Sequence, residues 1–274
     1  MTDYALGNTD SEHERLIWQA ERVAPLTERL FQAAGIGPGQ HILDIGSGAG
    51  DVALQVARLV GPSGKVLGVE RDARSIERAR ARVIKAGLRN VEFVQCDACC
   101  VPGGRLFDAA VGRFILMWVD DPIAVLRQVG KCVRPGGVLA FQEPYWAPLL
   151  NLLEPLPLWS AAAAVIHRSF LRAGARPELG PALYQLYLDA GLPGPSVQLE
   201  MLAGRCPDLS QWFGDIIRTL QTENEASSRG VDGLGDLSTL QERLQAQLLS
   251  STTIAAWPAY VGAWCRLPTE SAVP

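Results

Sequence analysis

A glycine-rich turn between a short apolar strand and a helix is the feature that most constrains this chain. Residues 41–54 read HILDIGSGAGDVAL, and residues 65–70, KVLGVE, form a second apolar run that ends in a carboxylate. This arrangement is typical of the nucleoside-binding half of an open α/β sheet. Glycine lets the backbone approach a ligand closely, and Glu70 can accept hydrogen bonds from both ribose hydroxyls. The pattern therefore predicts a site for an adenosine-containing ligand.

The residue at the third position of the glycine fingerprint indicates which adenosine ligand fits. A dinucleotide site requires Gly-x-Gly-x-x-Gly or Ala, so that the pyrophosphate lies on the helix N-terminus. The glycines here are Gly46, Gly48 and Gly50, and Asp51 takes the third fingerprint position. This carboxylate, with a second one at Asp44, would repel a pyrophosphate but not a ligand that carries an ammonium and a sulfonium. The turn therefore favours S-adenosylmethionine over NAD, and no Gly-Lys-Ser or Gly-Lys-Thr follows it to indicate a P-loop.

Five segments of the chain resemble the class I S-adenosylmethionine-dependent methyltransferases. They are residues 43–50 (LDIGSGAG), 66–72 (VLGVERD), 91–98 (VEFVQCDA), 107–114 (FDAAVGRF) and 134–141 (RPGGVLAF). Five matches in the family's order and at its spacing are much more specific than one glycine turn. The resemblance is nearest to the branch that acts on quinones and natural products, and it implies S-adenosylmethionine as the cofactor.

The resemblance also implies which residues bind this cofactor. Asp44 would organise the methionine ammonium, Glu70 would hold the ribose, and Asp97 with the backbone N–H of Ala98 would read the adenine. Arg113 departs from the small or amide residues common at its position, and it would bind the cofactor carboxylate or an acidic acceptor. Each role has a structural alternative, such as a bond from Asp44 to the amides of the turn. The full predicted set is Tyr4, Gln19, Asp44, Gly46, Ser47, Gly48, Gly50, Glu70, Arg71, Asp97, Ala98 and Arg113.

The alternation of apolar runs with helical periodicity predicts an α/β fold. Repeated βα units imply a doubly wound parallel sheet, and the resemblance implies seven strands with an antiparallel last strand. Strands are predicted near residues 41–45, 65–70, 91–97, 109–113, 138–142, 196–202 and 259–266, and helices near 51–60, 73–86, 122–133, 156–173, 178–190, 209–227 and 237–249.

We expect a single domain over residues 1–274 with three parts. Residues 1–34 would form an N-terminal helical arm that Pro25 breaks. Residues 35–144 would form the cofactor-binding core. Residues 145–274 would hold a C-terminal hairpin and two helical insertions, one after the fifth strand and one inside the hairpin, on the acceptor side.

The acceptor pocket is expected to be apolar and suited to a flat molecule. Trp18, Tyr145, Trp146 and Trp159 are predicted to contact the acceptor, whereas Trp118, Trp257 and Trp264 are interpreted as core. A base is required only if the nucleophile is a poorly ionised hydroxyl. His167 on an inserted helix and Glu143 after the fifth strand are the catalytic candidates, and a surface position is the alternative for His167.

These observations predict transfer of a methyl group from S-adenosylmethionine to a small, largely apolar acceptor at a hydroxyl oxygen. The alternative hypothesis is a methyltransferase-like protein that binds the cofactor but catalyses a different step, as a cyclase does, or that serves as a binding module.

Composition narrows the possible partners and location. The formal net charge is -4 and basic residues form no stripe, so nucleic acid is not expected as a substrate. The chain shows neither a signal-peptide pattern at its start nor a long apolar run, which predicts a cytoplasmic protein, monomeric or homodimeric, without membrane contact. The six cysteines lack zinc spacing, so no metal is predicted. Cys99 and Cys100 leave open an arsenic-methylating alternative.

Overall fold

A seven-stranded sheet organises the fold in this computed structural model, which describes residues 10–98, 106–223 and 233–269. The strands of the sheet are β1 (His41–Ile45), β2 (Lys65–Glu70), β3 (Val91–Gln95), β4 (Phe107–Arg113), β5 (Val133–Tyr145), β6 (Ser196–Glu200) and β9 (Ala259–Arg266), in the order β3-β2-β1-β4-β5-β9-β6. β1 to β5 are parallel, and β9 runs antiparallel to both of its neighbours. The predicted doubly wound sheet with an antiparallel last strand is confirmed.

Helices cover both faces of this sheet because its strands are apolar on both sides. On one face α1 (Asp10–Ala33), α2 (Asp51–Val60) and α3 (Ala73–Lys85) pack over residues such as Ile42. On the other face α4 (Pro122–Cys132) and α7 (Leu183–Asp189) pack over residues such as Leu43. Neighbouring residues of one strand thus pack into hydrophobic clusters on opposite faces of the sheet, because successive side chains of a strand point to opposite sides.

The N-terminal arm is one continuous helix, so the predicted break at Pro25 is wrong. Proline removes one backbone hydrogen bond and costs a helix about 3 kcal/mol. The buried side chains of Val23, Leu26 and Leu30 offset this cost, because each contributes about 1.5–3 kcal/mol when it leaves water. The second half of α1 is therefore part of the core.

The strands and helices of the second half of the chain lie close to their predicted positions. α5 (Ala147–Leu152) and α6 (Pro157–Arg172) follow β5, while α8 (Pro207–Glu223) and α9 (Leu240–Ser250) lie between β6 and β9. A small ladder pairs β7 (Ala203–Gly204) with β8 (Ala255–Ala256). Helices α6, α8 and α9 contact one another, and α8 also contacts α1. Among the helices that the structure describes, none is both long enough and apolar enough to span a bilayer.

Candidate functional site

A cavity of about 290 Å³ lies at the edge of the sheet where the parallel strands end. Its wall includes residues that follow β1, β2, β3 and β4, together with side chains from α1, α6 and α8. This edge is where open α/β sheets bind ligands, because the strand ends leave a crevice between the connections on the two faces.

The glycine turn after β1 forms one wall of the cavity. Gly46 has φ +65°, and a Cβ there would lie 2.5 Å from Cδ1 of Ile115. Gly50 has φ +85°, and a Cβ there would lie 3.0 Å from the Cβ of Ala79. Both positions therefore require glycine, for conformation and for space. The turn brings the predicted residues Gly46, Ser47 and Gly48 to the cavity, whereas Gly50 supports the turn from behind.

Glu70 ends β2 and faces the same cavity. Its Oε2 accepts a hydrogen bond from the amide of Gly48 at 3.0 Å, and its Oε1 accepts from the amides of Arg71 and Asp72 at 2.8 and 2.9 Å. A carboxylate has about four acceptor positions, so ribose hydroxyls would share these two oxygens with the backbone. Asp72 also caps α3, because it accepts a hydrogen bond from the amide of Ser75 at 2.9 Å.

Two polar side chains beside the turn have no close hydrogen-bond partner among the described residues. They are Asp44, at both carboxylate oxygens, and Ser47, at its hydroxyl. Burial raises the pKa of Asp44 to about 8, and Asp51 and Glu70 add to this rise, whereas the Arg113 guanidinium and, more weakly, the backbone amide of Ala53 oppose it. A buried carboxylate without a close donor is costly. The turn is thus prepared for a ligand with a positively charged donor.

Arg113 ends β4 and lies between acidic groups and α1. Its Nη1 donates to the hydroxyl of Thr27 at 3.1 Å, and burial lowers its pKa while Asp51 and Asp44 oppose that shift. Asp51 itself forms an ion pair of 2.7 Å with Arg82. Arg82 thus partly balances the charge of Asp51, which was expected to repel a pyrophosphate.

All but one of the remaining predicted cofactor residues line the cavity. Asp97 and Ala98 follow β3, and both line the cavity, as does Arg71. Gln19 on α1 also lines it, where its Oε1 accepts from Trp212 Nε1 at 2.7 Å. Tyr4 lies outside the described residues.

Aromatic side chains form the other end of the cavity. Trp146 packs against Trp212 and Phe170, with ring centroids 6.0 and 5.8 Å apart, and Phe170 packs against Trp118 at 5.9 Å. The aromatic residues that line this end are Phe114, Trp118, Trp146, Phe170, Trp212 and Tyr260. Phe114 has a φ of +57°, an uncommon conformation for a residue with a side chain and one that recurs at functional sites.

Of these aromatic residues, the sequence pattern predicts only Trp146 as an acceptor contact. The core position expected for Trp118 is wrong, because Trp118 is half-buried and lines the cavity. Phe170 and Trp212 lie on helices that the sequence predicts. Which face of each helix turns toward the cavity depends on tertiary packing, so the sequence does not assign these two residues. Tyr260 is the second residue of the last strand. No sequence motif surrounds it, so no local pattern predicts that it lines the cavity.

Glu143 does not line the cavity. Its carboxylate is fully buried and accepts hydrogen bonds from the amides of Ile115, Leu116 and Met117 at 3.1, 2.8 and 3.2 Å. Burial raises its pKa to about 8, and the three amides and Arg176 oppose that shift. The residue holds the loop after β4, so its placement supports a structural role and not that of a base.

His167 also lies outside the cavity wall. Its Nε2 is 3.2 Å from Oε1 of Glu178, and its ring packs beside Trp146 at 5.7 Å. Trp159 is fully buried away from the cavity, where its Nε1 donates to the carbonyl of Leu244 at 2.8 Å. The structure therefore does not bring His167 and Trp159 to the cavity.

Trp18 and Tyr145 complete the predicted acceptor set, and neither lines the cavity. The Trp18 ring carries the Arg22 guanidinium 3.7 Å above its centroid and packs against Trp257 at 5.7 Å. Tyr145 is the half-buried last residue of β5. Both residues pack against the hydrophobic core outside the cavity wall.

The polar and aromatic groups of the site match the chemistry of S-adenosylmethionine. The cavity joins a carboxylate at a strand end and an unpartnered Ser47 hydroxyl to an aromatic end, whereas Asp44, on β1 just before the turn, is buried and does not line the cavity. A nucleoside with an ammonium group complements the first part, and an apolar acceptor complements the second. The residues present therefore fit this cofactor.

Comparisons with known proteins agree with the fold and the glycine-turn motifs. Residues 36–171 match the profile of a family described as a methyltransferase domain. The ubiquinone/menaquinone biosynthesis C-methyltransferase of Cellvibrio japonicus is 38% identical over 120 residues, which are 42% of this chain and 48% of that protein. The chain thus spans about half the length of the curated relatives it matches.

Solved structures with low sequence identity share the fold. A candidate methyltransferase of Bacillus halodurans is 16% identical, with a TM-score of 0.58 over 88% of this chain and 98% of that one. The cyclase SpnF is 20% identical, with a TM-score of 0.53 over 90% of this chain and 82% of that one. At such identities the likeness concerns the architecture alone.

Proposed function

We propose that this chain, which belongs to the class I S-adenosylmethionine-dependent methyltransferases, transfers a methyl group from that cofactor to a small, planar, largely apolar molecule. The observation that carries the proposal is the continuity of one cavity from Glu70 and Asp97 to the aromatic side chains around Trp146.

The cofactor would occupy the half of the cavity formed by the ends of β1 to β4. Glu70 would accept from the ribose, Asp97 and the amide of Ala98 would meet the adenine, and Asp44 would face the methionine ammonium. The Ser47 hydroxyl and the Arg113 guanidinium are further groups on this wall. When bound, S-adenosylmethionine supplies an electrophilic methyl group on a sulfonium.

The chain's own residues would align the acceptor and exclude water from it. Methyl transfer is an in-line displacement whose charge is dispersed in the transition state. The main task of the protein is therefore to align the acceptor atom, the methyl group and the sulfur. The Trp146, Phe170 and Trp212 rings would fix the plane of a flat acceptor.

The carboxylates and the imidazole that line the described cavity belong to its cofactor half. They are His13, Asp51, Glu70, Asp72 and Asp97, from α1, from the end of β2 and from segments that follow β1 to β3. The aromatic half has no such group among the described residues, so we expect an acceptor that ionises in solution or reacts at an electron-rich carbon. Two atoms are therefore candidates for methylation. One is the hydroxyl oxygen expected from the sequence, and the other is a carbon, which the similarity to C-methyltransferases supports.

A labelled-methyl assay tests this proposal. The protein is incubated with S-adenosylmethionine carrying a deuterated methyl group and with a panel of phenols, naphthols and hydroquinones. The proposal predicts labelled product and one S-adenosylhomocysteine for each product molecule. An acceptor converted without label, while S-adenosylmethionine stays intact, would instead support the cyclase-like alternative. Glu70→Ala serves as the variant with impaired cofactor binding.

A further inference from the structure

We infer that Tyr260 positions the methyl acceptor, by donating a hydrogen bond from its phenol hydroxyl to an oxygen atom on a planar aromatic molecule. This inference rests on the proposed function and specifies its substrate class as oxygenated aromatic compounds.

Tyr260 lies at the aromatic end of the cavity, beside Phe114, the residue that follows β4. It is the second residue of β9 and lies opposite Pro144 of β5, at the edge where the parallel strands end. Its ring packs on Phe114, with centroids 5.2 Å apart, and both residues line the cavity. In the sheet order β9 lies two strands beyond β4, on the side away from the glycine turn. This position favours the acceptor over the adenosine as its ligand.

The Tyr260 hydroxyl has no hydrogen-bond partner among the described residues, although the residue is only 3% exposed. Buried tyrosine hydroxyls normally have a partner, because an unsatisfied one loses its bonds to water without replacement. Tyr187 shows the ordinary case, since its hydroxyl donates to the carbonyl of Ala263 at 3.0 Å. The vacant donor of Tyr260 on the cavity wall is therefore suited to a ligand oxygen.

Burial keeps the Tyr260 hydroxyl protonated, and the positive charges near it suit a ligand oxygen. Burial raises the pKa of its hydroxyl above the ordinary range, so the proton stays in place, although Arg113 and Arg15 oppose that rise. Both arginines line the cavity. Glu200 lies opposite Tyr260 on β6 but is paired with Arg29 at 2.6 Å. The acidic groups that interact with Arg113 are Asp51 and Asp44, which lie at the glycine turn.

Two probes of the same shape separate oxygen recognition from apolar packing. 2-Naphthol has a hydroxyl where 2-methylnaphthalene has a methyl group, and both are flat. Calorimetry with saturating S-adenosylhomocysteine measures their affinities for the wild type, for Tyr260→Phe and for Tyr187→Phe. The wild type is expected to prefer 2-naphthol about tenfold, the effect of one hydrogen bond in a buried site. Tyr260→Phe is expected to lose this preference.

The control variant separates positioning from folding. Tyr187→Phe removes a satisfied hydroxyl, so it is expected to lower the melting temperature and to keep the tenfold preference. Tyr260→Phe removes an unsatisfied hydroxyl, so its melting temperature without ligand is expected to equal or exceed that of the wild type.

Several results would overturn the inference. One is a preference for 2-naphthol that persists in Tyr260→Phe. Another is a wild type that binds S-adenosylhomocysteine but either does not bind 2-naphthol or does not prefer it to 2-methylnaphthalene. A third is a loss of S-adenosylhomocysteine affinity in Tyr260→Phe, which would assign the hydroxyl to the cofactor. A wild type that fails to bind S-adenosylhomocysteine would instead contradict the proposed function itself.

Discussion

The carboxylate of Glu70 and the amide of Gly48 form a hydrogen bond of 3.0 Å that joins the end of β2 to the glycine turn after β1. One side chain thus fixes the turn and faces the cavity at the place expected for a ribose. The two motifs that first indicated a nucleoside site are therefore physically connected.

Removal of this carboxylate is expected to weaken cofactor binding. We expect Glu70→Ala to lower the affinity for S-adenosylhomocysteine roughly ten- to a hundredfold, because hydrogen bonds to a charged group contribute about 1.5–3 kcal/mol. Calorimetry measures the effect. Asp121→Ala is a matched control, since Asp121 caps α4 by accepting from the amide of Ala124 and does not line the cavity. Equal affinities for Glu70→Ala and wild type would remove Glu70 from the site.

We expect Asp44 to make stability and binding respond to pH in opposite directions. Its pKa rises from 3.8 to about 8 on folding, so the folded protein holds a proton that the unfolded chain has lost between these values. Its contribution to stability therefore falls as pH rises through that window. We expect Asp44→Asn to stabilise the ligand-free protein most at pH values above 8, and to weaken S-adenosylhomocysteine, whose ammonium would pair with the ionised carboxylate.

Thermal denaturation and calorimetry across this pH window check the prediction for Asp44. The affinity of the wild type for S-adenosylhomocysteine is expected to rise with pH up to about 8, and that of Asp44→Asn to show a smaller rise. An unchanged pH profile in the variant would show that Asp44 does not titrate on binding.

Trp118 is expected to shape the acceptor end. Trp118→Ala removes a half-buried ring from the cavity wall and its contact with Phe170. We expect the acceptor KM to rise about two- to tenfold, since an aromatic contact contributes about 0.5–1.5 kcal/mol, with the affinity for S-adenosylhomocysteine unchanged. His167→Ala is the comparison variant and should keep turnover within about threefold, because the imidazole pairs with Glu178 outside the cavity. A large loss of turnover in His167→Ala would restore the histidine as a base.

Glu143 is expected to stabilise the loop after β4 without transferring a proton. Glu143→Ala leaves three backbone amides without their acceptor, so we expect a loss of about 1–3 kcal/mol in the free energy of unfolding. Denaturant titration measures this loss. Glu143→Gln keeps one acceptor oxygen, and the pH profile of its remaining activity should match that of the wild type. If the pH dependence of activity on one side of the wild-type profile disappears in Glu143→Gln, Glu143 acts as a base.

The sequence predicted the parts of the site that depend on local pattern. Strands β1, β2 and β9 have the predicted bounds, because short apolar runs with clear ends define them. Glu70 and the glycine turn follow from the same local signals.

The acceptor end depends on contacts between distant segments, and the sequence predicted less of it. α6 was located, but its rotation is set by packing against α8, which turns Phe170 and not His167 toward the cavity. Tyr260 and Trp212 come together with Trp146 only after the sheet and the helical insertions assemble. Two of the four aromatic residues that the sequence assigned to the acceptor, Trp159 and Trp18, instead pack outside the cavity wall, against Phe213 and Trp257.

A crystal structure of the protein with S-adenosylhomocysteine tests the central claim most directly. The account predicts the ribose hydroxyls at the Glu70 carboxylate, the adenine beside Asp97 and Ala98, and the sulfur directed toward Tyr260 and the aromatic end. An adenine placed among Trp146, Phe170 and Trp212, or a ligand bound outside this cavity, would contradict it.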